Sequence, residues 1–412
     1  MDHIHRLFDL LEKYVNNNPN KGMLYAKEGS QWKSYTAIEC KELVYKMAAS
    51  FLRLGISGND LTSESQGKIA IISNNRPEWI LSAFATQITG AVLVPIYPSI
   101  TNAEWEYILN EAQVSILFVS DKSIYRKLSQ IKDNVASLKH IFSFDHIEGV
   151  PHWSELLLDV SSNELHTIEN IKDSLKPEHL ATIIYTSGTT GNPNGVLLSH
   201  HNIISNVKSC MECFNFCGSD ESALSFLPLN HIFERTVMYI YICKGIAVYF
   251  AEGMEMIGPN LREVKPVVFT TVPRLLEKVF EKIDATGREL TGFKRSIFDW
   301  SVDLAMAYEI GKPKSLPYKI QLAIADFLVY KKWRNAVGGK IKAIVTGSAA
   351  CQVKLLRLFT AAKIVVMEGY GLTETSPVIS VNRFQEENRM FGTVGTIIKD
   401  VEVQLADDGE IV

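Results

Sequence analysis

Residues 185–196 read YTSGTTGNPNGV, three glycines and four small hydroxyl side chains in a stretch with almost nothing to pack. Gly188, Gly191 and Gly195 open backbone conformations closed to other residues, and so let N–H groups converge on anionic oxygens. Thr186, Ser187, Thr189 and Thr190 add hydroxyl donors or ligands for a hard cation. The chemistry that suits such a loop is polyphosphate binding. Its spacing is not that of the common P-loop, which needs four residues between glycines and then Lys-Ser/Thr; here Val196 follows Gly195. Taken alone, such a stretch is more often a plain surface turn.

A second segment, MEGYGLTETSP at 367–377, closes an apolar run. Gly369 and Gly371 permit a sharp turn around Tyr370, which presents an aromatic ring, a hydroxyl and a carboxylate together. Tyr370 can stack on a purine, Thr373 can donate to a phosphate oxygen, and Glu374 is a hard oxygen ligand suited to magnesium. By itself this too is compatible with a turn carrying a solvated Thr-Glu pair. Two such segments on one chain favour a nucleotide.

The elements that must position them are legible. Ala181 to Tyr185 reads as a short buried strand, and Ser199 as the N-cap of a helix starting HHNIISNV, which predicts the order strand, loop, helix. From Lys68, β-rich runs at 68–73, 91–97 and 115–119 alternate with helical segments, and the alternation resumes at 223–229, 245–250, 265–272, 340–347 and 363–370. This is an α/β pattern with parallel sheets. Thr36 with Glu39 and Thr101 with Glu104 read as capping boxes. Residues 273–333 are helical in character and open on proline, a helical insertion. The pattern predicts α/β subdomains over 1–175 and 176–385.

Composition sets the class. The 412 residues are 46% hydrophobic, enough for a large core, and the net charge is -4 without a dense Lys/Arg block, which argues against a nucleic-acid partner. The acidic second residue and the helical spacing of Ile4, Leu7, Leu11 and Tyr14 are unlike a signal peptide. The apolar stretch 237–250 is broken by Lys244 and too short to cross a bilayer. A cytoplasmic protein is expected. Six cysteines (Cys40, Cys210, Cys213, Cys217, Cys243 and Cys351) are spread too thinly for a disulfide framework. Cys210, Cys213 and Cys217 share helical spacing but lack a matching second ligand cluster, so helix packing is expected rather than a metal.

The pair YTSGTTGNPNGV and YGLTETSP resembles the two best-known signatures of the adenylate-forming superfamily, which includes acyl-CoA synthetases, peptide-synthetase adenylation domains and firefly luciferase. NNRPEW (74–79), VPIYPSIT (94–101), FLPLNHIFER (226–235), TVPRLLEKVF (271–280) and TGSAA (346–350) resemble its long-chain acyl-CoA synthetase branch, so the resemblance covers nearly the whole chain. It implies the large N-terminal domain of that fold, with 386–412 starting a small β-rich subdomain. It also implies ATP-dependent activation of a long-chain fatty acid to an acyl-adenylate and then to acyl-CoA, with ATP, magnesium and coenzyme A. Thr186 to Gly191 would cradle the triphosphate, with Thr189 on magnesium. Gly347, Ser348 and Ala349 would line the adenine and acyl site. Glu368, Gly369 and Tyr370 would flank and stack the adenine, with Gly371 in the same turn, while Thr373 would touch the α-phosphate and Glu374 hold magnesium. His231 would lie beside the acyl pocket or, alternatively, cap the helix that follows Pro228.

Two departures from the family pattern stand out. Asn194 stands where lysine is usual, and the ending ADDGEIV lies before the family's ribose-binding aspartate segment, hinge and lysine-bearing domain. The resemblance therefore implies a truncated N-terminal portion, poorly active alone. Alternatives are another adenylate-forming ligase acting on aryl, medium-chain or amino acids, or a nonenzymatic nucleotide-binding protein. A homodimer and peripheral membrane contact are both compatible with this reading.

Overall fold

The computed structural model describes residues 3–56, 61–187 and 191–412. They form two compact units, the first Met1–Lys208 with Pro228–Gly245, the second Ser209–Leu227 with Ile246–Val412. This division cuts the chain elsewhere than at 175 and 385.

In the first unit, strands β1 (Gly22–Glu28) and β2 (Gln31–Thr36) make an antiparallel hairpin turned at Gly29, φ +62°. A six-stranded sheet follows from β3 (Lys68–Ile72), β4 (Val92–Ile96), β5 (Ile116–Val119), β6 (His140–Ser143), β7 (Leu180–Thr186) and β8 (Asn194–Ser199), in the order β6-β5-β3-β4-β7-β8. All neighbours are parallel except β8, which runs antiparallel to β7. Every residue of β3, β4 and β5 is buried, as expected of parallel strands covered on both faces. Their covering helices start where the sequence says. Thr36 and Thr101 accept from the backbone N–H of Glu39 and Glu104 at 3.3 and 3.2 Å, while each cap's own N–H donates to the glutamate carboxylate. Helix Pro77–Ile88 begins on proline, where the missing N–H costs nothing, and is buried along its whole length.

In the second unit, β9 (Ser222–Ser225), β10 (Ala247–Phe250), β11 (Val268–Thr271), β12 (Ala343–Thr346), β13 (Val365–Gly371), β14 (Val378–Val381) and β15 (Thr396–Ile397) run in the order β15-β14-β13-β12-β11-β9-β10. Pairing is parallel from β10 to β13 and antiparallel from β13 outward. Both sheets are thus mixed, where the alternation alone predicted parallel pairing. The antiparallel strands β8, β14 and β15 have six, four and two residues, and none reads as a clean period-2 alternation. Between β11 and β12 comes the expected insertion, with helices Pro273–Arg288, Gly292–Met306 and Leu316–Ala325, a π turn Asp326–Tyr330 and helix Lys331–Ala336. Its inner side packs Phe298, Tyr330 and Trp333 into one core with Leu355 and Phe359.

Candidate functional site

The glycine loop is the connection of a hairpin. Tyr185 pairs with Gly195 and Thr186 with Asn194, so a strand intervenes before the helix and the order is strand, loop, strand, helix. Ser199 still caps that helix: its Oγ accepts from Asn202 N–H at 3.1 Å, and Ser199 N–H donates to Asn202 Oδ1 at 2.9 Å. Thr186 is half-buried and Ser187 exposed at the carboxyl end of β7; Gly188, Thr189 and Thr190 lie outside the described residues. Gly191 has φ +97°, the left-handed region that favours glycine. Gly195 is needed for another reason. A Cβ there would stand 2.9 Å from Ile183 Cγ2 and 3.3 Å from the Tyr185 ring, so its missing side chain makes room for the cross-strand tyrosine.

Beneath this hairpin, three of the quoted segments meet inside the first unit. Leu229 N–H donates to Asn75 Oδ1 at 2.9 Å, Asn230 Nδ2 donates to the carbonyl of Ile96, and Arg235 Nη1 donates to Thr182 Oγ1 at 3.1 Å. Arg235 is fully buried, and its Nε and Nη2, like Asn230 Oδ1, have no hydrogen-bond partner among the described residues. Asn75, Asn230 and Arg235 were not singled out by sequence reasoning. The signal was there in FLPLNHIFER, as polar side chains set into a run otherwise suited to the core.

His231 sits at the N-cap of helix Ile232–Lys244, where its Nδ1 accepts from Phe233 N–H at 3.1 Å. The cap is therefore what its ring does within the protein. Burial, and after it the Arg235 guanidinium, hold His231 below its usual pKa, so the ring is neutral near pH 7 and its Nε2 carries the proton. It can donate a hydrogen bond without bringing a charge.

In the second unit, β12 ends at Thr346 beside Glu368 of β13. Gly347 is buried, Ser348 and Ala349 are exposed, and Ser348 has φ +66°. The Glu368 carboxylate faces inward: Oε1 accepts from Cys351 N–H at 2.7 Å, while Oε2 and Thr346 Oγ1 are buried without partners among the described residues. Burial raises the Glu368 pKa. Its side chain thus holds the loop 347–351 from within.

Gly369 and Gly371 answer to the antiparallel contact with β14. A Cβ on Gly369 would lie 3.3 Å from the carbonyl of Ser380, and one on Gly371 would collide with the carbonyl of Pro377. Tyr370 is half-exposed; Thr373, half-buried, and Glu374, exposed, stand on the short 3-10 turn Thr373–Thr375. The turn is closed by Leu372 N–H donating to Thr375 Oγ1 at 2.9 Å, ahead of Ser376 at φ +76° and a cis Ser376–Pro377 peptide.

No group of three or more His, Cys, Asp or Glu among the described residues could cage a metal. One exposed carboxylate on a turn is nevertheless what magnesium needs when substrate phosphates and water complete its octahedron. Glu374 fits that role. Cys210, Cys213 and Cys217 are buried, with the Arg383 guanidinium against the Cys213 sulfur, but they do not share one helix: the helix ends at Cys210 and Cys213 lies on the 3-10 turn Met211–Phe214.

The AMP-binding enzyme family model matches residues 11–412. Long-chain-fatty-acid–CoA ligase FadD15 of Mycobacterium bovis is 29% identical over 389 residues, which is 92% of this chain and 62% of that protein. Long-chain-fatty-acid–CoA ligase 1 of Homo sapiens is 31% identical over 376 residues, 87% of this chain and 51% of that protein. The chain therefore spans between half and two thirds of the length of these relatives. Among solved structures, the N-terminal domain of FACL13 from Mycobacterium tuberculosis superposes with a TM-score of 0.71 at 17% identity, covering 99% of this chain and 86% of that one. A long-chain-fatty-acid–CoA ligase (FadD1) from Archaeoglobus fulgidus gives 0.70 at 18% identity, covering 99% and 72%. At these identities the superpositions establish the shared α/β fold.

Proposed function

This chain belongs to the AMP-binding enzyme family, and from that premise we propose that it serves the ATP-dependent activation of a long-chain fatty acid to an acyl-adenylate and then to acyl-CoA. In the first step a carboxylate oxygen attacks the α-phosphorus of ATP and pyrophosphate leaves. In the second, the thiol of coenzyme A attacks the acyl carbonyl, loses its proton, and AMP leaves. Neither step needs a covalent bond to the protein, so the residues act by positioning and by spreading charge.

Thr186, Ser187 and Gly191, with Gly188, Thr189 and Thr190, would surround the triphosphate with N–H and hydroxyl donors. Gly347, Ser348 and Ala349 would border the adenine, Tyr370 would stack on it, and Thr373 would donate to an α-phosphate oxygen. Glu368 and Gly369 would flank the adenine, Glu368 also holding the 347–351 loop in shape, and Gly369 and Gly371 would let the chain pass close to β14. His231 would offer its Nε2–H near the acyl group. Glu374 and Thr189 would hold magnesium, whose contribution is neutralisation of phosphate charge.

The observation that supports this reading is the placement of both hydroxyl- and glycine-rich loops at carboxyl ends of parallel strands in their own units, one after β7 and the other after β12 and β13. That is where open α/β sheets take their ligands. The test is pyrophosphate release by the full-length protein with ATP and a panel of acids. Release highest with palmitate supports the proposal; release led by octanoate, benzoate or an amino acid reassigns the acyl class. ATP binding without release for any acid would point to nucleotide binding alone.

Asn194 gives a separate expectation. It is exposed at the start of β8, so a lysine there meets no packing cost and adds a cation beside the loop. Asn194→Lys should tighten ATP binding several-fold, in keeping with about 1 kcal/mol for one partly screened charge. A calorimetric titration giving equal or weaker affinity would remove lysine's absence as a handicap of this chain.

A further inference from the structure

The helical insertion of the second unit carries an apolar stripe on its outer side. Leu316, Ile320, Ile324 and Phe327 recur at spacings of four, four and three residues and are 71%, 54%, 47% and 77% exposed. Helical geometry sets such positions on one face. The opposite side is already committed: Ala325, Val329, Tyr330 and Trp333 are buried in the unit's core. Tyr330 and Tyr318 hydroxyls fasten that side by donating to the carbonyls of Ser301 and Leu304 at 2.7 and 2.9 Å. The π turn Asp326–Tyr330 adds a residue to the winding, so Phe327 and Leu328 both face outward before Val329 turns in. A surface helix of a globular protein normally turns polar residues outward; this one is apolar on both sides, which marks a contact surface.

Charge names the partner. Residues 310–340 hold seven Lys or Arg against one acid, Asp326, within a chain whose net charge is -4. Asp326 is itself neutralised by Arg334 and Lys363, at 2.5 and 2.8 Å. Lys312, Lys319, Lys331 and Lys332 are exposed. A protein partner would have to match an apolar row and a basic border at once; the surface of an anionic bilayer offers both over its whole area. Among the described residues no helix is long and apolar enough to cross a membrane, so the contact is one of lying on the surface.

We propose that Leu316–Tyr330 docks flat on anionic lipid, with Leu316, Ile320, Ile324 and Phe327 at the acyl boundary and the lysines among the headgroup phosphates. The inference uses no assignment of catalysis, and its failure would leave the proposed reaction untouched.

The test is co-sedimentation of the 412-residue chain with vesicles of phosphatidylcholine alone and of phosphatidylcholine with phosphatidylserine. Binding is expected to the anionic vesicles and to weaken with salt. Lys331→Ala with Lys332→Ala should lower the partition coefficient about fivefold per lysine. Ile320→Ser with Phe327→Ser should lower it about tenfold or more. All four side chains are exposed, and unchanged thermal midpoints will confirm that the variants are folded. Binding that ignores both lipid charge and the variants overturns the proposal. So does absence of vesicle binding, whether the chain stays monomeric or forms a dimer that Ile320→Ser with Phe327→Ser dissolves, the second case assigning the stripe to another copy.

Discussion

Glu374→Gln is expected to lower palmitate-dependent pyrophosphate release by about 10²- to 10³-fold, the usual loss when one group that stabilises transition-state charge is removed. The amide keeps the size of the side chain and removes its charge. Because Glu374 is exposed on a turn closed by backbone and Thr375 contacts, folding should be unaffected, within about 0.5 kcal/mol. ATP affinity measured without magnesium should match the parent's, while affinity measured with magnesium should fall. A variant that keeps the parent's rate and its magnesium-dependent affinity would remove Glu374 from the site. The contrast with Glu368 matters, because the two carboxylates stand six residues apart, one buried and the other exposed. Glu368 is buried and bonded to Cys351 N–H, so its loss would act through the shape of the 347–351 loop.

What the chain discloses without a structure follows from the range of each interaction. A capping box spans four residues, and those at Thr36 and Thr101 were legible because everything they need lies within about one turn. Buried parallel strands were legible as apolar runs. Strand β8 was not: NPNG reads as turn chemistry through Gly195, yet Asn194 and Gly195 already pair with β7. The reason for Gly195 lies on the paired strand β7, in the Ile183 side chain and the ring of Tyr185. Glu368 reaches a backbone amide seventeen residues earlier in the chain, which no local spacing could announce. Arg235 reaches Thr182 from another element altogether, leaving only its oddity in an apolar run to be noticed. His231 allowed two readings from sequence, and the hydrogen bond from Phe233 N–H shows that it caps its helix. The loops that bear the proposed chemistry were legible because glycine and hydroxyl composition is itself the signal. The side chains that brace them were not, because bracing is a property of packing.

Acid should find the first unit's weakness at His200. This residue begins the helix that follows β8, and it is 1% exposed. Its Nδ1 accepts from Leu7 N–H at 3.2 Å, and its ring meets Phe8 edge-on with centroids 5.9 Å apart. Burial is the largest influence on it and pushes its pKa down to about 3; Asp9 opposes the shift, while Arg6 and His179 add to it. The folded state therefore requires the neutral ring, whereas the unfolded chain takes up a proton near the ordinary value of 6.5. Below that pH the unfolded state binds more protons, so stability is fully present above about 6.5 and is lost as pH falls toward 3, at about 1.4 kcal/mol per pH unit. By about pH 4.5 the parent chain should have lost about 2–3 kcal/mol through this residue. His200→Gln keeps an acceptor for Leu7 but does not titrate. It should be less stable than the parent at pH 7.5, through imperfect packing, and should then lose less on acidification, so that the gap narrows or reverses. Urea unfolding of both chains at pH 7.5, 5.5 and 4.5 measures this; parallel losses would show that His200 is not the acid-sensitive group. The consequence reaches the proposed nucleotide loop. His200 N–H also donates to the carbonyl of His179, just before β7, so this residue ties together both strands of the hairpin that presents Thr186 to Gly191. Charging the ring attacks the support of a loop that carries no acid-titrating side chain of its own.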